Sequence, residues 1–239
     1  SMRELDVSAA ALDRIANAAA ARCGDPNLGL HLAIRLPRGS YGLLEYIGRS
    51  AATVRHAGER FIRYSSLLND VVTFAFEDRG SAFCLTQRIE GYPACVGRHA
   101  GEMFVALVVR YLRELSDAEW SPVRIGLAHG APADTSEHEA WFGAPLAFAC
   151  GAPRVALPVG LLERPVVTRD PALFSLLDEQ AARELAARPH ASDASAEGSV
   201  ETTTEARTEP ESKLRAKVRA EVRRALDDGQ PQVAAVAQA

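Results

Sequence analysis

Residues 136–139 read Ser-Glu-His-Glu, two carboxylates flanking an imidazole, a set of side chains able to bind a divalent cation or relay a proton. Consecutive residues point to different faces of a helix and to alternate sides of a strand, so Glu137, His138 and Glu139 cannot converge by themselves. No metal is assigned to them. His129 follows an apolar run and precedes Gly130-Ala131-Pro132, where it can bond a ligand or tie down the turn; the turn is the favoured role. Arg63 and Tyr64 adjoin an apolar helical face. A guanidinium beside an aromatic ring can clamp a small carboxylate or stack on the ring, although such a pair more often forms a half-buried edge. Trp141-Phe142 before Gly143 can wall a pocket, yet aromatics at a strand entry usually fill core. Nucleophile elbows, phosphate-binding loops, dinucleotide loops and the His-Glu-x-x-His zinc motif are absent, so no catalytic residue and no cofactor is assigned.

These side chains need a scaffold, and 239 residues with 47% apolar content allow one large domain or one domain plus an appendage. No apolar run approaches the roughly 20 residues that span a bilayer. A cytoplasmic protein with no membrane partner is the expectation. Cys23, Cys84, Cys95 and Cys150 are far apart and fit no metal spacing, which predicts buried free thiols rather than disulfides or zinc. A net charge of −4 argues against the whole chain binding nucleic acid, but the sign is uneven along it.

Hydrophobic spacing predicts helices over residues 7–22 and 27–36, then a third long helix through residues 40–70 with Val54, Phe61 and Leu68 on one stripe. The period then switches to alternation, predicting a β-hairpin around Arg79-Gly80. A helix over residues 97–115, strand candidates at 122–130 and 145–158, and a helix at 171–187 complete the pattern. The mixture predicts an α+β fold with helices packed on a mainly antiparallel sheet. Residues 188–212 lack apolar anchors and are expected to form a disordered linker. Beyond them, Leu214, Val218, Val222 and Ala225 make a narrow apolar stripe flanked by Lys and Arg, the pattern of a connector helix.

The segment "VRRALDDGQPQVAAVAQA" resembles the junction that precedes the helix-turn-helix motifs of AraC/XylS-type bacterial transcription regulators. Upstream, "DPNLGLHLA", "YGLLEYIGRSAATV", "IRYSSLLND" and "RIGLAHGAPADTSEHEAWFGAPLAFACGAPRVALPVGLLERPV" resemble, in order and spacing, the N-terminal "arabinose-binding" regulatory domain of one subgroup of that family. The resemblance implies an effector-binding domain over residues 5–187, the linker over 188–212, and over 213–239 a connector helix and the first helix of a truncated DNA-binding domain. It implies a small-molecule effector and operator DNA as partners, the latter through a domain absent here, and is compatible with a homodimer. Ser1-Met2 reads as a cleavage scar, and Pro231 with Val233 and Val236 as the opening of a helix that breaks off. Polar contacts to the effector are expected from among Tyr41, Arg63, Tyr64, His129 and Trp141, residues within or beside the resembling blocks. An unrecognised enzyme of small molecules or a ligand-free dimerisation module is the alternative.

Overall fold

The computed structural model describes residues 9–69, 71–89, 97–117 and 119–188. Two short helices open it, α1 (Ala9–Cys23) and α2 (Leu28–Arg35), separated by Gly24 at φ +62, a left-handed turn that glycine adopts without steric cost. The predicted third helix is two: α3 (Gly42–Ser50) and α4 (Val54–Tyr64), followed by a single 3-10 turn at Ser65–Leu67. Periodicity runs unbroken through both, but Thr53 adopts an extended conformation and its hydroxyl accepts from the His56 N–H at 3.2 Å, starting a new helix. The Val54 N–H, orphaned by that new start, bonds to the Arg164 carbonyl at 3.0 Å.

The hairpin forms as expected, with β1 (Val72–Asp78) antiparallel to β2 (Ala82–Ile89). The 19-residue helix α5 (Arg98–Ser116) follows, ended by Asp117 in the left-handed region. Then come β3 (Arg124–Gly126), α6 (Ser136–Phe142), β4 (Leu146–Ala147), β5 (Arg154–Pro158), α7 (Val159–Leu162) and α8 (Pro171–Ala186). The strand expected at 145–158 is therefore two strands separated by a turn containing Ala149 and Gly151 at positive φ. Trp141 and Phe142 lie on α6, a helix the alternation had not revealed, rather than at a strand entry.

The sheet has the order β1-β2-β5-β3-β4, antiparallel except for the β3–β4 pair, and the fold is α+β. Register puts Phe76 opposite Leu85, Phe74 opposite Gln87 and Phe83 opposite Leu157, so these side chains share one sheet face. Helices α4 and α5 cover that face: the Phe74 ring lies 4.8 Å from Phe61 of α4 and 5.6 Å from Phe104 of α5, centroid to centroid. The core continues through Val105, Val109, Leu115, Ile125, Leu127, Phe142 and Val155, each fully buried, and each such side chain contributes about 1.5–3 kcal/mol. A second cluster joins Leu44 and Ile47 of α3 and Tyr64 of α4 to Ala181 of α8. Asp170 caps α8 by accepting from the Ala172 and Leu173 N–H groups at 3.0 Å, and Pro171 suits its first turn.

Among the described cysteines, Cys23, Cys84 and Cys150 are free thiols, but Cys23, the last residue of α1, is exposed, and Cys84 of β2 and Cys150 of the β4–β5 turn are half-buried. The expectation of burial is corrected to that extent; Cys95 lies outside the described residues. So do the expected linker at 188–212 beyond Arg188, the connector helix and the terminal segment. Among the described residues no helix is long and apolar enough to cross a membrane.

Candidate functional site

A cavity of about 340 Å³ lies between α3, α4 and α5 and the face of β1, β2 and β5. That volume falls in the lower part of the range of small-molecule sites, about 300–1,000 Å³. Its wall is apolar, built by Val54 and Phe61 of α4, Phe74 and Phe76 of β1, and Met103 and Leu107 of α5. Val54, Phe61 and Leu68, the stripe visible in the sequence, all line it although the helix breaks before Val54 and ends between Phe61 and Leu68.

At one end the lining turns ionic. Glu45 and Arg49 sit one turn apart on α3, and Arg110 and Glu114 one turn apart on α5, so each helix brings an i,i+4 pair to the same place. The Arg49 Nε donates to Glu45 at 3.0 Å, and its other nitrogen donates to Glu114 at 2.6 Å, bridging the two helices. Arg110 donates to Glu114 at 2.9 Å and, at 2.7 and 2.8 Å, to the carbonyls of Ala33 and Leu36, closing the C-terminal end of α2. Glu45 also accepts from the Gly39 N–H at 2.8 Å. Burial alone would raise the Glu114 pKa, but hydrogen bonds from Arg49 and Arg110 outweigh it and hold the carboxyl below its ordinary value. Burial likewise lowers the Arg49 pKa, and bonds to Glu114 and Glu45 more than restore it. The Tyr111 hydroxyl donates to the Glu45 carbonyl at 2.8 Å, and burial raises its pKa well above the ordinary tyrosine value.

Of the residues singled out by sequence, Tyr41 lines the cavity; burial first and Glu45 second raise its pKa. The others are elsewhere. Tyr64 is fully buried in the α3–α4–α8 cluster, with its hydroxyl donating to the Asp178 carbonyl at 3.2 Å, and Arg63 is exposed with its guanidinium 5.3 Å from the Tyr64 ring centre. Trp141 packs edge-on to Phe142 beneath the Arg113 guanidinium. His129 bonds through Nδ1 to the Gly130 carbonyl at 2.8 Å.

His129 also belongs to a second constellation that its sequence surroundings did not reveal. Glu102 of α5 is fully buried, and one of its oxygens lies 2.9 Å from Arg98 Nε, 3.1 Å from His138 Nε2 and 3.2 Å from His129 Nε2. Burial pushes the Glu102 pKa up, but these three neighbours overcome it and hold the carboxyl far below the usual range. His138 and Glu137 diverge as adjacent helical residues must: His138 turns inward to Glu102, while Glu137 reaches the α2 side, accepting from Asn27 at 2.6 Å and contacting His31. The neutral form of His99, behind Glu102, is favoured by burial. No group of His, Cys, Asp or Glu among the described residues forms a metal site. The cluster joins α5 to α6 and to the loop after β3, and the second Glu102 oxygen and His138 Nδ1 are buried in it without a hydrogen-bond partner.

The missed residues were partly legible. Glu45–Arg49, Arg98–Glu102 and Arg110–Glu114 are opposite charges at i,i+4 inside helices otherwise rich in apolar residues, a signal that those charges are paired within the fold.

Among solved structures, the transcriptional regulator CdpR from Pseudomonas aeruginosa shares this fold, with a TM-score of 0.53 and 20% identity over 65% of this chain and 53% of that one. The ornithine utilization regulator of Pseudomonas aeruginosa is 27% identical over 178 residues, 73% of this chain and 51% of that protein. This chain thus spans about half the length of the curated relative it matches. Residues 3–166, which include every cavity-bearing element from α2 through α7, match the family described as the N-terminal arabinose-binding domain of AraC transcription regulators, and the chain belongs to that family.

Proposed function

We propose that this chain is the effector-sensing part of a cytoplasmic, AraC-type DNA-binding regulator and that its effector occupies the cavity between the sheet and helices α3, α4 and α5. The observation that carries it is the cavity itself: a space of about 340 Å³ with an apolar wall and an ion-paired end, in a family of regulatory domains. Operator DNA is read by a segment outside the described residues. No enzymatic role is proposed, because the matched family and the relatives named above are transcription regulators.

An effector shifts an equilibrium only by binding one arrangement of domains or subunits more tightly than another. The route runs through α3 and α4. Leu44 and Phe61 line the cavity and also pack in the cluster with Ala181 and Leu177 of α8. Arg60 of α4 pairs with Asp178 of α8 at 2.8 Å. A ligand that moves α3 and α4 against the sheet therefore moves α8, the last described helix before the C-terminal part of the chain.

Thermal-shift screening of a metabolite library followed by calorimetry tests this. A stabilising hit should lose at least tenfold in affinity in Leu107→Trp, which fills the cavity from α5, while the variant stays folded. Screening that yields only turnover products, or no ligand while the chain pairs with itself, would favour an enzyme or a ligand-free dimerisation module instead.

A further inference from the structure

Helical glycines are held for different reasons in this fold. A Cβ on Gly29 of α2 would lie 2.1 Å from the His99 carbonyl oxygen, and one on Gly48 of α3 would lie 2.2 Å from the Tyr111 hydroxyl, so both let helices approach α5. Gly58, in the middle of α4, is different. Its backbone is ordinary helix, and a Cβ there would meet only the Phe76 ring, at 3.9 Å, an ordinary van der Waals distance. Glycine is the poorest residue after proline in a helix interior, and close packing does not require it here. Both Gly58 and Phe76 line the cavity. What a side chain at position 58 would take is cavity volume.

The charged lining points the same way about what enters. Arg49, Arg110, Glu45 and Glu114 spend their hydrogen bonds on one another, on the α2 carbonyls and on the Gly39 N–H. A charged ligand group pushed past them would either break a bridge or sit unpaired against Phe61, Phe74 and Phe76, and an unpaired buried charge is strongly disfavoured.

We propose, resting on the assignment of the cavity as the effector site, that Gly58 is a specificity-determining residue whose missing side chain sets the depth of the cavity for an uncharged, apolar portion of the effector. Small hydrophilic or doubly charged metabolites are then poor ligands for this chain.

The test uses straight-chain alcohols of four to eight carbons and the corresponding carboxylates as probes, titrated calorimetrically into the full chain, Gly58→Ala, Gly58→Leu and Leu107→Trp, with thermal melts to confirm folding. Affinity for the alcohols should rise about fourfold per methylene until the cavity is full. Gly58→Leu should end that rise at a shorter chain and weaken the longest alcohol at least tenfold; Gly58→Ala, which will fold even if the leucine variant does not, should weaken it about fourfold. Carboxylates should bind more weakly than alcohols of equal length. Alcohol binding that is lost in Leu107→Trp but identical in wild type and both Gly58 variants would overturn the role of Gly58 and leave the cavity assignment standing. Binding indifferent to Leu107→Trp as well would remove the cavity assignment itself. Carboxylates binding as tightly as the alcohols, or no alcohol binding at all, would overturn the uncharged apolar class.

Discussion

Replacing Glu102 by glutamine tests whether the buried charge cluster holds α6 and the loop after β3 onto α5. The carboxylate is fully buried, with Arg98, His138 and His129 within 3.2 Å of one oxygen. Glutamine keeps the shape but withdraws the charge, and its amide presents N–H groups toward other donors. Removing one partner from such a buried set costs about 3–5 kcal/mol, because the remaining cation stays desolvated. Domains of about 150–250 residues lose about 2–4 °C of melting temperature per kcal/mol, so the expected drop is about 6–20 °C at pH 7.5 by calorimetry. Glu137→Gln, on the exposed side of α6, should change the melt little, since exposed pairs contribute about 0–1 kcal/mol. Because the Glu102 pKa is depressed on folding, its contribution is complete above the ordinary glutamate range near about 4.3 and fades only as pH falls through the folded value. Mild acidification to about pH 5 should therefore not remove it. A drop below about 2 °C in Glu102→Gln would refute the assignment of the cluster as a structural clamp.

Gly29→Ala and Gly48→Ala should each destabilise by about 1–3 kcal/mol, because the new methyl group meets an oxygen at close range, whereas Gly58→Ala should stabilise by about 0.5–1 kcal/mol; urea midpoints give the signs. His31 has its pKa raised by hydrogen bonds to Asp25 and Glu137, so its contribution is complete below about 6.5 and is lost as pH rises through the folded value. His31→Gln should accordingly cost more stability at pH 5.5 than at pH 8.5 in paired urea melts. Tyr64→Phe should cost about 1 kcal/mol in stability without altering effector affinity, since its hydroxyl serves the Asp178 carbonyl. Tyr41→Phe should do the reverse in the same melts and titrations, Tyr41 being a cavity-lining residue.

The pattern of elements could be read from the chain wherever one physical signal dominated. Alternation of residue types marked the hairpin, although β2 lies inside the sheet and is buried on both faces, and the long apolar period marked α5 because that helix is covered on most sides. Residues 40–70 misled because both halves share a helical period; the break depends on one hydroxyl, Thr53, and on a carbonyl more than a hundred residues away, Arg164. Helix α6 escaped notice because its seven residues are too few for a period, and only two of them, His138 and Phe142, are buried, His138 against a distant Glu102. The family blocks located the domain, but four of the five residues chosen within or beside them for their chemistry lie away from the cavity. Polar side chains with conspicuous chemistry are spent on packing: Tyr64 on α8, His129 on Glu102, Trp141 on Arg113. The cavity wall is made by residues with no distinctive chemistry, whose convergence from α4, α5 and three strands exists only after folding.

Met103 gives the most direct test that the effector enters this cavity. The chain contains two methionines, and Met103 of α5 lines the cavity, so its ε-methyl group reports from within it. With methyl-labelled methionine, titration of an effector found by the library screen should shift the Met103 resonance, identified by its loss in Met103→Leu, until binding saturates. A Met103 signal that stays fixed at saturating effector, with binding verified by calorimetry in the same sample, would contradict the assignment of the cavity as the sensing site.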